Sequence, residues 1–168
     1  AVARVVEVFQ ACRGNYESES CFRQYSDGTA AGTFMLDGLR RGHRFGLIAS
    51  SDHGHGASYV GVLARSLSRE DVFDGLWSRR TCAATTRGVI ADLRLGPHLM
   101  GSEVRWDGPR PLTVHARGYA ELARVDILRD GEVVHSVRGE PALRDGHLRV
   151  DLRVEWGKAD VTMCWDGR

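Results

Sequence analysis

Runs of apolar residues divide the chain into two kinds of pattern. Val2 to Phe9 is rich in β-branched residues with Glu7 inside it, and Phe45 to Ala49 contains no charge, so both predict strands buried on two faces, as in parallel sheets. Between Thr29 and Arg41 the apolar positions Ala30, Phe34, Met35 and Leu39 recur at helical spacing. Arg40 and Arg41 complement the dipole of that helix, and Gly42 ends it. Tyr59 to Ala64 predicts another strand. Ser68 to Arg79 predicts a second amphipathic helix, with Val72, Phe73, Leu76 and Trp77 on one side and a variant capping box of Ser68 and Asp71 at its start. Strand and helix alternate up to Arg80, the pattern of the end of a parallel α/β barrel.

The period changes after Arg80. The segment TCAATTRGVIADLRL, Thr81 to Leu95, predicts two short strands around Arg87 and Gly88. Leu112, Val114 and Ala116 alternate with polar neighbours. Val125 to Leu128 and Val133 to Val137 flank Asp130-Gly131, a strong hairpin signal. Leu148, Val150, Leu152, Val154 and Trp156 alternate with charges as in a half-exposed strand, and Asp160 to Trp165 reads as a further strand that closes the sheet. The expected fold class is therefore α/β then all-β. Residues 1–86 form the last strands and helices of a barrel, and residues 87–168 a small antiparallel β-sandwich, immunoglobulin-like in outline.

Composition narrows the partners more than the fold. With 23 basic and 22 acidic residues the net charge is +1, which gives no electrostatic case for nucleic acid or an anionic membrane. No apolar run approaches the roughly 20 residues of a membrane span, and the N-terminus lacks a basic-then-apolar signal pattern and an initiating Met. Cys12, Cys21, Cys82 and Cys164 form no CxxC pair, so a zinc ribbon or disulfide framework is not expected; Cys12 and Cys21 can pair if the loop between them folds back, but reduced thiols are the expectation.

Candidate chemistry gathers where the Phe45 to Ala49 run ends. Ser50, Ser51, Asp52, His53 and His55 follow it in a loop loosened by Gly54 and Gly56. Ligands bind beyond the carboxyl ends of parallel strands. Asp52 offers a hard oxygen, and His53 and His55 offer nitrogens that zinc, manganese or iron accept. The plainer alternative is a solvated loop in which Asp52 caps a turn. Glu7 is a further candidate, because a carboxylate in a core strand is costly unless it binds metal or pairs, with an arginine as the plainer partner. The polar stretch Arg13 to Asp27 lines a pocket through Arg13, Tyr16, Glu17 and Arg23, or is solvated surface. Thr85, Thr86 and Arg87 suit a phosphate or a simple strand turn. His43, His98, His115, His135 and His147 read as surface or packing residues, with His98 nearest to the expected site, and Trp77 and Trp106 as core or interface.

The segments VVEVFQACRGNYE (Val5 to Glu17), GTFMLDGLRRGHRFGLIASSDH (Gly32 to His53) and SREDVFDGLWSRRTCAATT (Ser68 to Thr86) resemble the PHP (polymerase and histidinol phosphatase) superfamily. The resemblance continues, more weakly, through GPHLMGSEV (Gly96 to Val104) and RVDILRDGEVV (Arg124 to Val134), and is to a subgroup whose barrel is followed by a C-terminal β-sandwich. The superfamily's usual ligand spacing is Asp-x-His; here His53 follows Asp52 at once and His55 comes three residues after it, so the choice of imidazole stays open. The superfamily's N-terminal histidine-rich motif has no counterpart, so the chain resembles only the C-terminal part. The resemblance implies a PHP-type barrel and a metal-dependent, phosphoesterase-like hydrolase with divalent zinc, manganese or iron and a phosphoester or other small-molecule substrate. Asp52, His53, His55 and Glu7 would be the metal set, Asp52 and His53 the catalytic pair, and Arg13, Arg23 and Arg87 the residues that neutralise phosphate charge. The same resemblance implies that this chain alone turns over less than one carrying the histidine-rich motif. The alternative is a non-catalytic binding or structural β-sandwich module with a degenerate metal loop.

Overall fold

A computed structural model describes residues 3–10, 16–19, 30–53, 58–105, 107–109, 111–118, 122–139, 143–144 and 147–148. The first strands follow the apolar runs. β1 (Val5–Gln10) and β2 (Gly46–Ser50) pair in parallel from Val5 opposite Gly46 to Gln10 opposite Ser50. Val8 is an extra residue in β1, because Glu7 pairs with Ile48 and Phe9 already with Ala49. This bulge is held by the Tyr16 N–H, which donates to the Val8 carbonyl at 2.8 Å. The carbonyls of Tyr16 and Glu17 in turn accept from Met35 and Leu36, both at 3.0 Å, so this segment ties β1 to the first turn of α1 (Met35–Arg40). Tyr16 is buried and meets Phe9 edge-on, with ring centroids 6.2 Å apart.

Helix α1 is shorter than its apolar period predicts, but its end is as expected. Gly42, at φ 82°, donates to the Leu39 carbonyl and His43 to that of Gly38, a Schellman closure. β3 (Tyr59–Val62) leads through α2 (Arg69–Trp77) to β4 (Thr81–Ala84), and the two strands pair antiparallel. β4 also lies beside β2. A Cβ on Gly46 would come within 2.6 Å of the Thr81 hydroxyl, so the two strands start side by side and run the same way.

β5 (Ile90–Leu95) pairs antiparallel with β6 (His98–Leu99) and β7 (Leu112–Arg117) in a three-stranded sheet. β8 (Arg124–Arg129) and β9 (Glu132–Arg138) form the expected hairpin, turning on Asp130 at φ 55° and Gly131 at φ 85°. β10 (Leu143–Arg144) and β11 (His147–Leu148) make a short antiparallel pair. The expected strands from Val150 to Trp156 and from Asp160 to Trp165 lie outside the described residues.

The expected fold class is corrected by this architecture. The described residues contain two helices and a set of two- and three-stranded sheets, mostly antiparallel, with no closed barrel among them. Barrel strands are buried on both faces, whereas Tyr59 and Val60 of β3 are exposed and only Val8, Tyr16, Phe34, Ala49 and Ala84 form a described apolar core. The antiparallel β5–β6–β7 sheet and β8–β9 hairpin are compatible with the expected sandwich, whose last predicted strands lie outside the described residues. β9 is exposed along its whole length, with Val133, Val134 and Val137 all more than half accessible; a sandwich covers alternate positions of such a strand with a facing sheet.

Candidate functional site

Parallel pairing brings the carboxyl ends of β1 and β2 to one side of the molecule. Glu7 on β1 accepts a hydrogen bond at Oε1 from the Ser50 hydroxyl at the end of β2. A half-buried carboxylate in a strand needs a partner. Sequence reasoning names an arginine as the plain partner; among the described residues it is Ser50, and the 43-residue separation leaves no local signal for the contact.

Ser51 closes the loop that follows. Its Oγ donates to the Ser58 carbonyl at 3.0 Å and accepts from the Ser58 N–H at 3.3 Å, so one hydroxyl pins both ends of the segment holding His55. His55 itself, with Arg13 and Arg23, lies outside the described residues.

Asp52 stands in a turn at φ 51°, a left-handed conformation that aspartate adopts more readily than most side-chain-bearing residues. Its side chain is 13% exposed, while that of His53 is 84% exposed, and His53 Nε2 approaches Asp52 Oδ1 to 3.4 Å. Ligand atoms about 2.1 Å from a tetrahedral zinc ion sit about 3.4 Å from each other. The pair therefore has the donor types and spacing of two zinc ligands, and equally those of an Asp–His ion pair. No group of three or more His, Cys, Asp or Glu side chains placed to hold a metal occurs among the described residues. The structure thus brings Asp52 and His53 together just past the end of β2, and separately ties Glu7, opposite Ile48 in mid-strand, to Ser50 at the end of β2.

Arg87 is exposed in the turn between β4 and β5. Ala84 ends β4 opposite Tyr59, the neighbour of Ser58, so Thr85, Thr86 and Arg87 leave the sheet on the side where Ser51 and Ser58 meet. Ser58 is the site's unforeseen member; Ser50 and Ser51, already placed in the loop by the sequence, gain their partners Glu7 and Ser58 only in the fold. His98 is half-buried in β6, while His43, His115 and His135 are exposed, as expected of surface residues.

Comparison with known proteins adds relatives without adding chemistry. The chain is 26% identical over 158 residues to an uncharacterised protein of Chlamydia pneumoniae, covering 79% of this chain and 25% of that protein. Uncharacterised proteins of Chlamydia trachomatis and Chlamydia muridarum match at 24% identity over 163 residues, again over 25% of their length. The chain spans about a quarter of the length of the curated relatives it matches. No family model matches it, and no solved structure matches.

Proposed function

We propose that the carboxyl ends of β1 and β2 carry part of the site of a metal-dependent hydrolase of phosphoesterase-like chemistry. The observation that carries this reading is the approach of His53 Nε2 to Asp52 Oδ1 at 3.4 Å, beside the Glu7–Ser50 pair. Asp52 and His53 would hold a divalent zinc, manganese or iron ion, with His55 as a further donor, while Glu7, which forms no three-ligand group with them among the described residues, keeps its bond to Ser50. Such an ion, when bound, polarises phosphoryl oxygens and lowers the pKa of a coordinated water. The chain's own residues do the rest. Glu7 fixes the direction of the Ser50 hydroxyl by accepting its proton in a hydrogen bond, which leaves the Ser50 oxygen free to accept from a substrate or water. Ser51 anchors the loop through Ser58, and Arg87, with Arg13 and Arg23, supplies positive charge for a phosphate.

The second reading, a non-catalytic binding or structural module, draws on the exposure of His53 and on the absence of a three-ligand group among the described residues. Metal titration separates the two. The hydrolase reading expects zinc or manganese to bind the 168-residue chain by calorimetry, and Asp52→Ala to weaken binding at least tenfold with the far-UV circular dichroism unchanged. Uptake that is absent, or identical in the variant, favours the module.

A further inference from the structure

The bulge in β1 decides which side chain stands beside Ser50. In an unbroken register, Glu7 opposite Ile48 would be followed by Val8 opposite Ala49 and Phe9 opposite Ser50. The extra residue delays the pairing by one, so Phe9 meets Ala49 and Gln10 meets Ser50. Paired residues of neighbouring strands share a face of the sheet, and successive residues alternate between faces. The Phe9 ring is thereby carried to the face of Ala49, where it meets Tyr16, and the Gln10 side chain takes its place on the face of Ser50. Bulges beside functional sites re-aim side chains in this way. Glu7 reaches the same hydroxyl, because its carboxylate accepts the Ser50 proton in a hydrogen bond. Gln10 is half-buried, and its amide makes no hydrogen bond among the described residues. That amide has both donor hydrogens and an acceptor oxygen to satisfy.

We propose that Gln10, with Glu7 and Ser50, binds the hydroxyl groups of a sugar or similar polyol, so that the substrate of the site is a polyol phosphate. The phosphate half of this statement rests on the hydrolase reading; the polyol half rests on the three side chains. Their chemistry selects the class by elimination. The Glu7 carboxylate repels a phosphate, which leaves that end of the substrate to an ion held by Asp52 and His53. An aromatic leaving group would cover Glu7 and Gln10 without bonding to either, and burying polar groups unpaired is costly. An ammonium donates to Glu7 but has no lone pair to accept from the Gln10 amide. A hydroxyl does both, donating to the carboxylate and accepting from the amide, and a neighbouring hydroxyl can donate to the Ser50 oxygen. Gln10 is a specificity-determining residue in this arrangement and takes no part in bond breaking.

Calorimetry of the 168-residue chain with zinc present and three phosphates (glucose 6-phosphate, phenyl phosphate and phosphoethanolamine) tests the proposal. The sugar phosphate should bind tightest. Gln10→Leu keeps the bulk and loses the amide; it should weaken that binding about fivefold, the loss of a neutral hydrogen bond or two, while phenyl phosphate binds no more weakly and the circular dichroism spectrum is unchanged. Methyl glucoside, which carries no phosphate, should show saturation transfer from the metal-free chain by NMR, and Gln10→Leu should lose it. Preference for the aromatic or the amine phosphate, or sugar binding that is absent or equal in wild type and variant, overturns the proposal. Because methyl glucoside needs no ion, a chain that takes up no zinc sinks the hydrolase reading and still decides the polyol subsite, and a chain that takes up zinc through Asp52 but ignores the sugar overturns the subsite alone.

Discussion

Arg79 holds a conformation normally left to glycine. It follows the C-cap of α2 at φ 60°, donates its N–H to the Leu76 carbonyl at 3.1 Å, and is followed by Arg80, whose N–H reaches Gly75 at 2.9 Å. These are the two bonds of a Schellman closure, the motif that ends α1 with Gly42. A side chain at that backbone position costs about 1 kcal/mol. It is retained because Arg79, whose side chain is only 10% exposed, donates through Nε and Nη2 to the Gly101 carbonyl at 3.2 and 2.8 Å, and to Glu103 Oε1 at 2.7 Å. Removing the guanidinium without relieving the backbone is thus the worse change. Arg79→Ala should unfold in urea at a lower midpoint than Arg79→Gly, the two differing by about 1 kcal/mol. Equal midpoints would mean that the left-handed backbone carries no cost here.

At the scale of elements, the start of α2 departs from the capping box that Ser68 and Asp71 predict. Ser68 Oγ does accept from the Asp71 N–H at 3.1 Å, but the Asp71 carboxylate turns to the Ser66 hydroxyl at 2.7 Å and to Arg65 at 3.2 Å. Ser66 Oγ in turn accepts from the Ser68 N–H, so a relay replaces the reciprocal bond. The hydrogen bond from Ser66, with the Arg65 charge, holds the Asp71 carboxyl below its ordinary value of 3.8, against the opposing effect of burial. Its contribution is therefore full above that value and fades as pH falls through the lowered folded value. Asp71→Asn should lower stability at pH 7 and flatten its decline below pH 3.8, read from urea midpoints across that range; a decline as steep as wild type would place the acid sensitivity elsewhere. The same contrast explains what was legible in the sequence. Gly42, the Asp130-Gly131 turn and the Phe45 to Ala49 run act through neighbours in sequence, and the structure places each where the pattern does. The Ser66 relay, the Glu7–Ser50 bond and the Arg79 tether depend on which chains lie side by side. Periodicity does not encode that, and for the same reason the strand–helix alternation implied a barrel that β3 and β4, pairing antiparallel, do not continue.

Across the whole molecule, the two sequence-defined halves meet at places that local pattern leaves silent. Glu103, beyond the three-stranded sheet's short β6, binds Arg79 at the exit of α2 and Arg44 at the entry to β2. The loop carrying it rests directly on the helix end, since a Cβ on Gly101 would come within 2.2 Å of the Ser78 carbonyl. The hairpin turn makes a second contact, where a Cβ on Gly131 would touch Leu36 of α1 at 3.4 Å. The Arg44–Glu103–Arg79 staple lies where β2 and β4 start, and the candidate site lies where they end, so it bears on stability at one end of the strands and leaves the chemistry at the other untouched. The Arg44 hydrogen bond, joined by the charges of Arg44 and Arg79, outweighs desolvation and holds the Glu103 carboxyl below its ordinary value of 4.5, so the staple is charged and complete at neutral pH. Glu103→Gln keeps the shape of the side chain and removes the charge that both guanidiniums share. Amide exchange at pH 7 should then rise in peptides spanning residues 98–105 and 79–81, while those spanning residues 46–50 keep most of their protection, because β2 remains paired with β1. If exchange at residues 98–105 stays at the wild-type level, the close packing of Gly101 alone holds the loop down, and the two guanidiniums are surface charges of little consequence to the joining of the halves.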